Sequence, residues 1–408
     1  MRLTAMAVLV VALPTSSATE DVPGPAAQRL HTRALVVDTH DDTPQRMVFQ
    51  GFDLGARDAR GHVDIPRMRE GGLDAVFFSI WVPSKVTGPV AVKRALGQID
   101  AVREQVRRHS SDLELATTAA GIREAVGRGR IAVLMGMEGG HMIDDDLGLL
   151  RLYAALGVRY LTLTHFLNNN WADSSTDRPA HDGLTPFGRD VVRELNRLGV
   201  LVDISHVADK TFHDALATTG APVIASHSSC RALCDHPRNM SDDMLRALAR
   251  NGGVIQINYE ITFLSQEARS AKQAGGRSVE LDDAELQRMC GEDEACQILE
   301  GERRDRQAME GGTLPRVGFE KIVDHIDHAV RVAGVDHVGL GSDFDGASMP
   351  FGMEDCSKLP RLTAALLARG YSEADVLKIL GGNLLRVLER SETVARDLAA
   401  SAAGARTP

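Results

Sequence analysis

Eight short apolar runs recur along the chain, at 35–38, 75–80, 131–135, 160–164, 201–205, 223–226, 254–258 and 338–342. Each is rich in apolar or β-branched residues and has no interior proline, which predicts a strand buried on both faces. Amphipathic helical patterns lie between most of them, at 90–109, 147–156, 186–198, 209–218, 241–251 and 319–333. Two more follow the last run, at 359–369 and 372–390, the second with Ser372 as its N-cap. One gap departs from this rhythm. Residues 264–315 are highly charged and carry Gly275-Gly276 and Gly311-Gly312, which predicts a long, largely helical insertion after the seventh strand. Eight strands alternating with helices predict an α/β fold, a (β/α)₈ TIM-like barrel, rather than a doubly wound sheet.

Composition narrows the class. The 408 residues are 43% hydrophobic and 25% charged, which excludes disorder or a collagen-like repeat across the chain. The net charge of −10 gives no general attraction to nucleic acid or anionic lipid. Residues 5–13 form a nine-residue apolar core behind Arg2, broken by Pro14 and followed by the small residues Ser16-Ser17-Ala18. That order predicts a signal peptide over residues 1–18, cut after Ala18, and so an exported protein, periplasmic or secreted. No other stretch is long and apolar enough to span a membrane. The expected organisation is a leader at 1–18, a barrel over 19–395 with its insertion, and a flexible tail over 396–408. Of the five cysteines, the expected bridges fall among Cys230, Cys234, Cys290 and Cys296, with Cys356 left over.

The polar residues gather at one end of the runs. The first ends in Asp38-Thr39-His40-Asp41-Asp42 and the third is followed by Glu138-Gly139-Gly140. The fourth, fifth, sixth and eighth are followed at once by His165, His206, His227 and Asp343. In a barrel all C-terminal strand ends face one mouth, so these distant positions form one cluster. His40 and Asp42, two apart, share a side if the strand continues through them. With Glu138 between them and the pair His206 and His227, they make a plausible two-metal site suited to zinc. No CxxC pair, HExxH or Gly-rich phosphate loop supports a competing chemistry. Asp203, Ser205 and His206 lie too close on one strand to converge as a triad, and no G-x-S-x-G elbow exists. Trp81 and Tyr259, at strand ends, are candidate pocket-lining residues.

At this point the chain resembles the renal or membrane dipeptidase family of binuclear zinc peptidases. The resemblance rests on His40-Asp41-Asp42-Thr43-Pro44, on Glu138-Gly139-Gly140, and on 159–165 followed by Asn168 and Trp171-Ala172-Asp173. It continues through 183–188 and 194–199 to His206, then Ser226-His227-Ser228-Ser229, Arg238-Asn239, and 341–346. It runs from about residue 30 to residue 390. It implies that His40, Asp42 and Glu138 hold one zinc, and that Glu138, His206 and His227 hold a second. It implies further that His165 contacts the substrate carbonyl, that Arg238 binds the substrate carboxylate, and that Asp343 transfers protons. Tyr259 is added as a substrate-side residue from its place at a strand end. Asp41 stands where the family often has Asn, and the insertion is positioned to remodel the pocket.

The implied reaction is hydrolysis of a dipeptide by a hydroxide formed on water between two divalent ions. His165 would stabilise the oxyanion and Asp343 would carry the proton to the leaving amine. Arg238 would grip a free α-carboxylate and so measure substrate length. The family's tolerance of a C-terminal D-residue extends the expectation to cell-wall fragments. The alternative is a related amidohydrolase acting on N-acyl amino acids, lactones or β-lactams. A non-enzymatic metal-binding or receptor protein would require a broken ligand set, and all five matched ligands are present. Oligomeric state is not fixed by sequence; a homodimer is compatible with it.

Overall fold

The computed structural model describes residues 23–274 and 284–404. Nine strands form one parallel sheet: β1 (Val37–Asp41), β2 (Ala75–Trp81), β3 (Leu113–Leu115), β4 (Ile131–Glu138), β5 (Val158–Thr162), β6 (Leu201–Asp203), β7 (Ile224–Ser228), β8 (Val254–Ile257) and β9 (Val338–Leu340). Eight of them follow the order β1-β2-β4-β5-β6-β7-β8-β9. The ring closes where the amide of Asp42 donates to the Phe344 carbonyl at 2.8 Å and that of Asp343 donates to His40 at 3.1 Å. The eight expected strands are therefore the eight barrel strands. β3 is an addition, pairing only with the start of β4, below the level where β5 begins.

Side chains divide by strand parity, as a closed sheet requires. Ala75, Phe77, Ala132, Leu134, Tyr160, Leu201, Ile224 and Val254 fill the barrel interior. Val76, Phe78, Ile80, Val133, Met135 and Met137 face the outer helices. Leu384, Leu385 and Leu388 of the last helix close the floor. Parity then carries Ser79 and Trp81 of β2, and Gly136 and Glu138 of β4, up the inner wall. The register pairs Trp81 with Glu138, Glu138 with Thr162, and Thr162 with Asp203, so these four lie at one level near the mouth.

Most helices match expectation, with differences at the end of the chain. The segment expected as one helix from Ser372 is a short helix Glu373–Leu377, a π turn Lys378–Gly382 and a long helix Asn383–Gly404. Ser372 does cap it, accepting from the Asp375 amide at 3.1 Å. The break lies at Gly381, where a Cβ would stand 2.2 Å from the Leu35 carbonyl. Residues 396–404, read as tail from their composition, continue the final helix. Between β8 and β9 lie the helices Gln266–Ala274, Ala284–Cys290 and Glu294–Glu310. Cys290 and Cys296 are bonded, while Cys230, Cys234 and Cys356 are free and buried. The expected leader over 1–18 lies outside the described residues. Among the described residues no helix is long and apolar enough to cross a membrane.

Candidate active site

The polar cluster begins just above the level set by Glu138. His165 and His206 each lie three positions past Thr162 and Asp203, which pair across β5 and β6. His227 lies on β7 itself. β1 reaches the cluster differently. Val37 faces the interior, so regular alternation would turn His40 outward. A register shift between Asp38 and Asp41 reverses this, and His40 packs against Tyr160 and His227. Asp42 is the N-cap position of the helix Thr43–Gln50, not a strand residue. The expectation that His40 and Asp42 share a side holds, but through an irregularity. His206, Asp343 and Asp345 adopt left-handed backbone, rare for non-glycine residues and concentrated at functional sites.

Glu138 is the hub. Its Oε1 lies 2.8 Å from His206 Nε2, 3.1 Å from His227 Nε2 and 3.8 Å from His165 Nε2. Its Oε2 lies 3.4 Å from His40 Nε2, which is 3.6 Å from Asp42 Oδ1 and 3.9 Å from Asp343 Oδ1. The two oxygens therefore face two different sets of partners. Three overlapping trios could each hold an ion: His40–Glu138–His227, Glu138–His165–His206 and His40–Asp42–Asp343. All five expected ligands come together, and His165 and Asp343 join them.

The donor set fits divalent ions on several counts. The Nε2 atoms of His206 and His227 are 3.0 Å apart and aim at the same carboxylate oxygen. His40 Nε2 and Asp42 Oδ1 are buried without a hydrogen-bond partner among the described residues. Burial, with Glu138 and Asp343 adding to it and His40 opposing, pushes the Asp42 carboxyl well above its ordinary range. Buried carboxylates this crowded need a compensating cation. Burial would also raise Glu138, but His40, His165 and hydrogen bonds from His206 and His227 outweigh it and hold that carboxyl low. Burial drives His165 down to about 4, and burial with Arg238 holds His206 well below its ordinary value. Neutral imidazoles are the form that binds metal. His40 differs: burial would lower it, but Glu138 and Asp42 outweigh that and raise it to about 10, so it gives up a proton when an ion binds.

A further set of residues orients the ligands. Tyr160 Oη lies 2.8 Å from His40 Nδ1. Ser226 Oγ lies 2.8 Å from His227 Nδ1 and donates to Asp203 Oδ2 at 2.6 Å. Asp203 thus anchors His227 through Ser226 and is not part of a serine triad. Such partners fix the tautomer of a ligating histidine. Gly136 admits the Tyr160 ring, since a Cβ there would stand 1.8 Å from it. Gly346 lies so close to Asp42 that a Cβ would come within 1.7 Å of Oδ2. The composition of the strand ends signalled the ligands, but parity was needed to find Tyr160, Ser226 and Asp203.

The cluster opens into a cavity of about 440 Å³. Arg238 lines it, fully buried, donating from Nη2 to the His227 carbonyl at 3.1 Å. Its Nε and Nη1 have no partner among the described residues. Burial lowers its guanidinium to about 10, against the pull of Asp343 and Glu138, so it is charged at neutral pH. Asp343 lines the cavity too, with Asn258 donating to Oδ2 at 2.8 Å. Trp81 is at the wall, as expected. Tyr259 is not. Its ring is fully buried edge-on against Phe344, at 5.8 Å, and it does not border the cavity. The strand-end position signalled it, but the residue turns into the layer behind the mouth. The insertion was expected only to remodel the pocket; its helix Glu294–Glu310 supplies a wall. Glu302 on that helix meets His62 Nε2 at 2.7 Å, and His62 Nδ1 accepts from the Asp345 amide at 2.9 Å.

Comparison with known proteins decides the family. The description membrane dipeptidase, peptidase family M19, matches residues 25–402. The chain belongs to that family. It is a metallo-dipeptidase family member, a hydrolase acting on peptide bonds. Dipeptidase tcpJ of Claviceps purpurea is 37% identical over 349 residues, 83% of this chain and 71% of that protein. The probable dipeptidase PvdM from Pseudomonas aeruginosa is 30% identical with a TM-score of 0.75, covering 91% of this chain and 98% of its own. A metallo peptidase from Rhodobacter sphaeroides, liganded with a phosphinate mimic of L-Ala-D-Ala, is 28% identical with a TM-score of 0.70. That match covers 88% of this M19 chain and 99% of the other.

Proposed function

We propose that this chain is an exported two-zinc dipeptidase that requires a free C-terminal carboxylate and accepts a D-residue beside it. The observation that carries the reading is Glu138, whose two oxygens face His206 with His227 on one side and His40 on the other. His40, Asp42 and Glu138 would hold one ion, and Glu138, His206 and His227 the other. Bound there, two divalent ions supply a nucleophile drawn from water near neutral pH and an electrophile for the peptide carbonyl.

The chain's own residues do the rest. Arg238 has Nε and Nη1 free of partners among the described residues, in a water-poor setting where a charge-assisted hydrogen bond to a carboxylate is strong. His165, neutral and buried, donates to the developing oxyanion when its proton sits on Nε2. Asn258 pins Asp343 Oδ2 and leaves Oδ1 toward the ligand cluster. Asp343 there takes the proton of the attacking water and returns it to the leaving amine. The relative liganded with the L-Ala-D-Ala mimic supports acceptance of a D-residue. The apolar leader pattern supports export, and the Cys290–Cys296 bridge suits an oxidising compartment. Metal analysis combined with hydrolysis of L,L- and L,D-dipeptides tests the reading. Two zinc ions per chain and cleavage of both classes are expected; turnover of N-acyl amino acids with no dipeptide cleaved would overturn it.

A further inference from the structure

The helix Glu294–Glu310 lies between β8 and β9, and one of its faces borders the cavity. Glu294, Ile298, Gly301 and Asp305 all line it. At 3.6 residues per turn these four fall within a sector of roughly 60°, with Gln297 and Glu302 on its flanks. Gly301 is therefore at one edge of that sector but still inside the face turned to the cavity, between Gln297 and the other three. Nothing in the fold asks for glycine there. Its φ is not positive, it sits inside a regular helix, and an added Cβ would meet no atom within 4 Å. Glycine is also the weakest helix former apart from proline. What its missing side chain leaves is space in the cavity.

The ring order tells which end of a substrate meets that space. Arg238 follows β7, and β7 stands opposite β2, with three strands between them in either direction. The helix is tied to both sides. Asp305 meets Lys272 at 2.5 Å, on the helix that follows Phe263, over whose ring Arg238 lies at 5.4 Å. Glu294 meets Arg94 at 3.4 Å, on the helix that follows β2. A dipeptide with its carboxylate on Arg238 thus points its amino-terminal residue toward β2, under the first half of the insertion helix.

We propose that Gly301 sets the size limit for the side chain of the substrate's amino-terminal residue, so that the enzyme takes dipeptides beginning with a bulky residue. This rests on Arg238 as the carboxylate site. The test compares wild type, Gly301→Ala and Gly301→Leu on Phe-Gly, Gly-Phe and Gly-Gly, with Tm and metal content measured for each. Gly301→Ala is expected to raise Tm, because the helix gains and nothing is displaced. Gly301→Leu is expected to raise KM for Phe-Gly about tenfold or more, while Gly-Gly and Gly-Phe stay within about twofold. Equal loss on all three substrates, no change on Phe-Gly, or selective loss on Gly-Phe would overturn the proposal and leave the dipeptidase reading intact. A lower Tm for Gly301→Ala would overturn it as well, by giving the glycine a packing role. Wild-type enzyme that cleaved none of the three would overturn the dipeptide reading and this proposal with it.

Discussion

Replacing Tyr160 by Phe isolates one hydrogen bond beneath the candidate metal site. The ring stays stacked on Phe77, at 5.5 Å between centroids, in the space Gly136 leaves for it. Only the hydroxyl 2.8 Å from His40 Nδ1 is lost. With Nε2 on an ion, His40 must carry its proton on Nδ1, and the hydroxyl accepts it. Without the hydroxyl that N–H is orphaned in a fully buried site, a cost of about 1–3 kcal/mol. The hydroxyl also holds the ring with Nε2 turned to the cluster, an orientation that the loaded state in particular requires. The penalty therefore falls on the loaded state and appears as lost affinity, about 10–100-fold.

Competition with a chelator of known affinity measures this directly. Tyr160→Phe should release zinc at a chelator concentration about 10–100-fold lower than wild type. Its kcat should recover when zinc is saturating, because no group that meets substrate has changed. Unchanged zinc affinity, with a turnover defect that excess zinc does not repair, would refute the reasoning. It would mean that Tyr160 acts on the reaction and not on the ligand.

The remaining predictions concern the site itself. Chelation should abolish dipeptide hydrolysis and zinc should restore it; a fully active preparation holding one ion or none would remove the two-ion reading. Asp343→Asn should keep its metal yet lose about 10²–10⁴ in kcat, since the amide cannot accept the proton; metal content and kcat on one dipeptide check this. Arg238→Ala should raise KM steeply for free dipeptides and scarcely alter C-terminally amidated ones, which wild type should cleave poorly. Equal effects on both substrates would reject the carboxylate clamp.

The barrel was legible because its strands are buried on both faces and so read as unbroken apolar runs. β3 escaped notice for the opposite reason. It is three residues, Leu-Glu-Leu, and two of them are only half-buried. The polar cluster was legible because the fold places every C-terminal strand end at one mouth, so strand order alone gathers His165, His206, His227 and Asp343. Position at a strand end does not give direction, and Tyr259 shows the cost. It occupies the same kind of position and turns away from the cavity onto Phe344.

What stayed illegible depends on contacts between remote segments. His62 and Glu302 are 240 positions apart, and no local pattern in either neighbourhood announces the other. Yet that pair ties the insertion helix to the backbone of Asp345, two residues from Asp343. The insertion's charge and glycines predicted a largely helical segment but not which of its faces would be buried. In the structure one face is spent on the cavity and on His62, and only the other faces solvent. A helix whose polar residues serve two surfaces has no clean apolar stripe, so its periodicity could not reveal which face mattered. Gly301 is the residue where that ambiguity resolves. In sequence it reads as a weak point in a helix, and only its place in the cavity-facing sector gives the missing side chain a purpose.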